Sequence, residues 1–159
     1  MIGWLLDTNV VGTIINPNGA PTVKEWAATQ NEGRFFLSVL TLGEYDKGIH
    51  NLPDDHPNRL RFIAARDRLA DRFAGRILSV GDGVVRRWGA ISGTVKRVTE
   101  HSPPVIDTLL AATALKHDLY LVTRNVSDVR SSGAPIFDPW HDDPAQFPLS
   151  PMPGVMQRD

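Results

Sequence analysis

Short apolar runs separated by polar and amphipathic stretches recur along the chain, and their order predicts strands alternating with helices. IGWLL at 2–6 reads as a buried strand that gives way to a helix after Asp7, and NPNGAP at 16–21 carries the Asn, Pro and Gly punctuation of a turn. A helix over TVKEWAATQ (22–30), a strand over RFFLSV (34–39) and a helix over LTLGEYDKGI (40–49) follow. DDHPN breaks the chain before an arginine-rich helix over Arg59–Ala74, whose apolar face would be Phe62, Ala65, Leu69 and Phe73. Beyond it, RILSV (76–80) reads as a short strand, VVRRWGAIS (84–92) as a helix and VKRVTEHSPP (95–104) as a polar loop. The last elements are a helix over IDTLLAATALKH (106–117), a strand over DLYLVT (118–123) and a short strand over APIF (134–137). Such alternation predicts an α/β fold of three layers, with a central, mostly parallel sheet flanked by helices. A proline-rich stretch from Asp142 to Asp159 has no periodic face, which divides the chain into a domain over 1–141 and a tail over 142–159, either a mobile extension or a wrap around a neighbour.

In open parallel sheets ligands bind at the carboxyl ends of the strands. That topology changes the weight of four acids that are unremarkable singly. Asp7 stands where a helix N-cap would stand, Glu44 lies on a helix face, and Asp107 opens the alanine-rich helix as a second candidate cap. Asp128 is an acid in a turn. The helix opened by Asp107 is apolar on nearly all sides, so it and its start are expected to be buried. Read together, the four come from distant segments to one edge of the sheet. Carboxylates gathered that closely raise one another's pKa unless a cation neutralises them. Oxygen ligands without Cys or His suit Mg²⁺ or Mn²⁺, and such an ion supports phosphoryl displacement.

Composition narrows the alternatives. A chain of 159 residues, 42% of them hydrophobic, can bury a core as one domain, and the absence of cysteine excludes disulfides and thiolate metal sites. No basic leader precedes the first apolar run and no run approaches a membrane span, so the chain reads as soluble and cytoplasmic. A net charge of −1 is not the usual footprint of a nucleic-acid binder, although acids that hold cations lower the formal charge and basic residues can gather on one face. Arg59, Arg61, Arg66, Arg68, Arg72 and Arg76 form one candidate phosphate-facing group, and Arg86, Arg87, Lys96 and Arg97 another. Val23, Trp26 and Ala27 are apolar positions open to a core role or to an interface with a partner. The five histidines have no metal-ligand spacing, and no GxSxG, GxGxxG or P-loop is present.

LLDTNVV, LTLGEYDKGI, VIDTLLAATALKHDLYLVTRNVSDV and the closing APIFDPW, in this order, resemble the PIN domain and within it the VapC toxins of type II toxin–antitoxin pairs. The resemblance covers about Met1 to His141. It implies a Mg²⁺- or Mn²⁺-dependent endoribonuclease that cuts structured RNA such as tRNA, leaving 5′-phosphate and 3′-hydroxyl ends. A homodimer, and a VapB-type antitoxin whose C-terminal segment inserts near the acids, are also implied. Residue by residue, the family's first acid falls on Asp7, the second on Glu44 and the third on Asp107; the fourth falls on Asn125 or Asp128, of which Asp128 is assigned. These four would hold the metal and carry catalysis. Thr8 and Asn9 match the polar pair after the first acid, and Thr123 and Asn125 would support the cluster by hydrogen bonds. Two rivals remain open. One is an aspartate-nucleophile phosphatase, which wants an acid where Asn9 stands. The other is a non-catalytic RNA- or protein-binding module.

Overall fold

A computed structural model describes residues 1–151. Among the described residues five strands, β1 (Gly3–Leu6), β2 (Phe35–Ser38), β3 (Ile77–Leu78), β4 (Leu119–Val122) and β5 (Ile136–Phe137), form one sheet in the order β3-β2-β1-β4-β5. Every pairing is parallel. GWLL occupies the centre because it is apolar at successive positions, as a strand covered on both faces must be. Side chains alternate across it. Trp4 and Leu6 face a core with Val10, Val11, Val23, Trp26, Leu69 and Phe73, while Leu5 faces Leu110, Ala111, Ala114 and Leu119 on the other side. Val23 and Trp26 are thus core residues.

The helices are α1 (Thr8–Ile15), α2 (Pro21–Thr29), α3 (Val39–His50), α4 (Arg59–Arg72), α5 (Asp82–Thr99), α6 (Val105–His117) and a single turn, α7 (Val126–Val129). Three differ from their sequence pattern. The stretch read as a polar loop continues α5 as far as Thr99, because Lys and Arg favour helix and need only a solvent-facing side. It stops at Glu100, which takes the left-handed conformation (φ 62°). At the end of α4 Leu69 and the following Phe73 are buried, but Phe62, near its start, is 43% exposed. Arg76 lies beyond α4, after a chain reversal at Gly75 (φ +78°). Finally, α6 is buried through its middle, yet Val105 and Ile106 at its start are exposed, against the expectation of a buried beginning.

The first part of the proline-rich stretch packs on the domain's own body. Phe147 stacks edge-on against Tyr120 (5.3 Å between ring centres) and Phe137 (4.9 Å), and Leu149 joins the same cluster. Polar contacts fasten it. Ser150 N–H donates to Met1 O (2.8 Å), and one Arg34 nitrogen donates to both Ile2 O and Ser150 O. The remainder of the stretch, 152–159, lies outside the described residues. Among the described residues no helix is long and apolar enough to cross a membrane.

Candidate active site

β1 is flanked by β2 on one side and β4 on the other, so its carboxyl end opens where the chain diverges to either half of the sheet. Crevices of this kind receive ligands in parallel α/β sheets. Asp7 is the first residue past that end. It does what an ordinary cap does, with Oδ1 accepting from Thr8 N–H at 2.6 Å, but its second oxygen takes no backbone N–H of the helix. Oδ2 accepts from Asn9 Nδ2 (2.8 Å) and from the Thr123 hydroxyl (2.7 Å). The carboxylate is 5% exposed. Burial pushes its pKa up, and the Thr123, Thr8 and Asn9 hydrogen bonds pull the other way.

β2 delivers the second acid. Ser38 caps α3, its Oγ accepting from Leu40 N–H at 3.2 Å, which frees Thr41 from capping and places Glu44 inside the helix. The Thr8 hydroxyl donates to Glu44 Oε2 and lies 3.3 Å from the buried Thr41 Oγ1. Thr8 thereby joins the ends of β1 and β2. Thr41 thus lies at the site, a residue not singled out from the sequence. Its spacing three residues before Glu44, on one face of a helix begun at Ser38, was the available signal.

Asp107 is not an N-cap. Pro104 holds that position and Asp107 falls in the first turn of α6, so its carboxylate is not consumed by capping. Its pKa is pushed up to about 6, first by burial and then by the charges of Asp7, Asp128 and Glu44. Three acids from three other segments are therefore close enough to be felt at Asp107. Asp128, in α7, is exposed. Asn125 is the N-cap residue of α7 without a capping bond from its side chain. Its backbone N–H donates to Thr123 Oγ1 (3.0 Å), so its support of Asp7 passes through Thr123.

The donor set suits a hard cation: carboxylates, hydroxyls and an amide, with no sulfur or imidazole. Excess negative charge, visible in the raised carboxyl of Asp107, is the condition such a cation relieves. Among the described residues, however, no three His, Cys, Asp or Glu side chains stand close enough to form a ready-made metal-holding group. The fit is one of chemistry and placement.

The candidate phosphate-facing arginines are mostly engaged elsewhere. Arg59 donates to Ile49 O and Leu52 O, Arg66 pairs with Asp46 and Asp67, and Arg72 pairs with Glu32. Arg76 donates to the carbonyls of Glu32, Phe35 and Arg72. In the second group Arg86 pairs with Asp82. Trp88, beside it, donates to Thr108 Oγ1 (3.0 Å) and so ties α5 to α6. Ala27 lines a groove of about 310 Å³ with Ile14, Ile15, Leu69 and Phe73, to which none of the four acids contributes.

Comparison with known proteins gives this geometry a context. The family model of the PIN domain matches residues 4–127. Toxin FitB of Neisseria gonorrhoeae is 28% identical over 140 residues, which are 87% of this chain and 99% of that protein. VapC ribonuclease Y4jK of Sinorhizobium fredii is 26% identical, over 86% of this chain and 96% of its own length. Among solved structures, FitAcB from Neisseria gonorrhoeae superposes with a TM-score of 0.75 at 26% identity, covering 87% of this chain and 99% of that one. FitAB bound to the IR36 DNA fragment gives a TM-score of 0.77 at 25% identity, over 88% of this chain and 97% of that one.

Proposed function

The chain belongs to the PIN-domain family, and from that premise we propose that it is the toxin of a type II toxin–antitoxin pair, an endoribonuclease that hydrolyses RNA phosphodiester bonds. What supports this reading most is the place of Asp7, Glu44, Asp107 and Asp128 in segments that start at the carboxyl edge of one parallel sheet, with the charges of Asp7, Asp128 and Glu44 felt at Asp107. Relatives named as a toxin and as a ribonuclease support it, as do structural neighbours solved as FitAB and FitAcB assemblies. An antitoxin of the VapB or FitA type, a homodimer and a structured RNA such as tRNA are proposed with it.

Asp7, Glu44, Asp107 and Asp128 would hold Mg²⁺ or Mn²⁺. When bound, such an ion supplies charge neutralisation at the phosphate and a lowered pKa for water. The protein's own part is orientation. Thr123, Asn9 and the Thr8 amide fix Asp7 before substrate arrives, and the Thr8 hydroxyl fixes Glu44, so little reorganisation remains for the reaction. In the overall displacement a water oxygen bonds to phosphorus and the P–O3′ bond breaks, leaving a 5′-phosphate and a 3′-hydroxyl. Asn9 stands where a phosphatase of the aspartate-nucleophile type would want its second acid. Here it holds Asp7 in place.

Mapping RNA 5′ ends after induction of the protein tests the reading, together with cleavage of the mapped RNA in vitro. New ends that vanish when EDTA is added in vitro are expected. No new ends, or a trapped phosphoryl-enzyme, would overturn it.

A further inference from the structure

Arg124 stands between two residues of the acidic site. Thr123 before it donates to Asp7, Asn125 after it donates back to Thr123, and the Arg124 N–H itself reaches Asn9 Oδ1 at 3.4 Å. Its backbone is therefore part of the wall beside Asp7. The side chain leaves that wall and lies over the indole of Trp140, with the guanidinium carbon 5.4 Å from the ring centre. Trp140 is fixed in turn by the segment that follows β5. Asp138, 8% exposed, accepts from Trp140 N–H (2.9 Å), while its own N–H donates to Asp142 (2.8 Å).

A guanidinium stacked on a ring spends its flat face and keeps its N–H edges, which are the part that binds phosphate in paired fashion. Arg124 is exposed, and among the described residues no carboxylate lies within ion-pair distance of it. The arginines around α4 that could have served RNA are largely closed onto their own chain. Meanwhile the neighbouring four carboxylates repel a polyanion, so a strand brought against them gains most from a cation on the same rim.

We propose that Arg124, seated on Trp140, is a positioning residue that grips a backbone phosphate of the RNA flanking the scissile one. This rests on the ribonuclease reading above. The test measures cleavage of bulk tRNA by wild type, Arg124→Gln, Arg124→Lys and Trp140→Leu, and tRNA binding against salt for each substitution combined with Asp7→Asn. Arg124→Gln is expected to raise KM about tenfold with kcat within about twofold, and to lower the slope of log affinity against log salt by about 0.7, one contact's share. Arg124→Lys restores the slope but only part of the affinity. Trp140→Leu, which keeps the charge and removes its seat, raises KM about threefold. Thermal melts show which variants are folded, and should Arg124→Gln fail to fold, the Lys and Leu variants carry the measurement. Unchanged KM and salt slope in Arg124→Gln, with wild type active, would overturn this inference alone. Loss of binding to polyglutamate with tRNA parameters unchanged would assign the rim to an acidic protein partner and overturn it too. A wild type inactive on tRNA and on the RNA mapped after induction would instead sink the ribonuclease reading and this inference with it.

Discussion

Arg59, Arg66, Arg72 and Arg76 each close onto a carbonyl or carboxylate of their own chain, whereas Asp7, Glu44, Asp107 and Asp128 gather with no basic side chain bonded to any of them among the described residues. Both regions are dense in charge. Around α4 the charge is spent as staples: Arg76, reaching three carbonyls, holds the exit of α4 against β2. At the carboxyl edge it is left unspent, and the fold carries the cost as raised carboxyl pKa values at Asp7 and Asp107. Like charges assembled from separate segments and left unneutralised mark a place where something else is meant to bind.

The largest effect should come from the edge. Asp7→Asn keeps the shape and removes the charge that Thr123, Asn9 and Thr8 orient, and it is expected to lower RNA cleavage by more than about a hundredfold, roughly 2.7 kcal/mol of transition-state stabilisation. A single-turnover assay reads this. Retained cleavage would place the chemistry elsewhere and break the contrast.

Next in size is a pH dependence of stability. The Asp107 carboxyl titrates at about 6 in the folded protein against an ordinary 3.8, so the folded state holds that proton more tightly than the unfolded chain does. Stability then falls as pH rises through that window. Acidifying from neutrality should recover on the order of 1–2 kcal/mol after allowance for solvent screening. Thermal melts in metal-free buffer should show the slope in wild type and a shallower one in Asp107→Asn, where the raised carboxyl of Asp7 remains. At neutral pH, millimolar Mg²⁺ or Mn²⁺ should raise the wild-type Tm and leave that of Asp7→Asn unmoved.

Thr123→Val sharpens the comparison at smaller scale. Losing the 2.7 Å hydroxyl donor raises the Asp7 pKa further, because that bond favours the ionised form. Cleavage is expected to drop about tenfold, with the acid limb of its pH profile moving to higher pH. Smallest is Arg72→Ala. Its partner Glu32 and the guanidinium are both about half exposed, and the pair contributes less than about 1 kcal/mol in urea denaturation. Cleavage should not change. A loss comparable to that of Asp7→Asn would show that α4 serves RNA after all.

Legibility in the sequence followed locality. The central strand, the parallel order and the placing of Asp7, Glu44, Asp107 and Asp128 at one edge could be read, because apolar runs between helical stretches leave little choice of topology and strand ends fix where loops meet. Partners across the fold could not. Phe62 had the right spacing for a core position but is exposed. The α4 arginines looked free because their acceptors, Glu32, Asp46 and the carbonyls of Ile49 and Leu52, lie outside that helix. Thr41 was hidden for a similar reason. Whether it caps α3 or faces Thr8 depends on which residue opens the helix, and Ser38 settles that only once its side chain is seen to accept from Leu40 N–H.

The fastening of Ser150 to Met1, with Arg34 bridging both strands of chain at the amino end of β1, has a practical side. These two points of the backbone are neighbours on the rim opposite the acids, so a tether sewn between them would permit circular permutation, with new ends opened at an exposed turn such as Asn16–Gly19. A reporter fused near either point would project from that far rim and leave the carboxyl edge clear for an incoming strand.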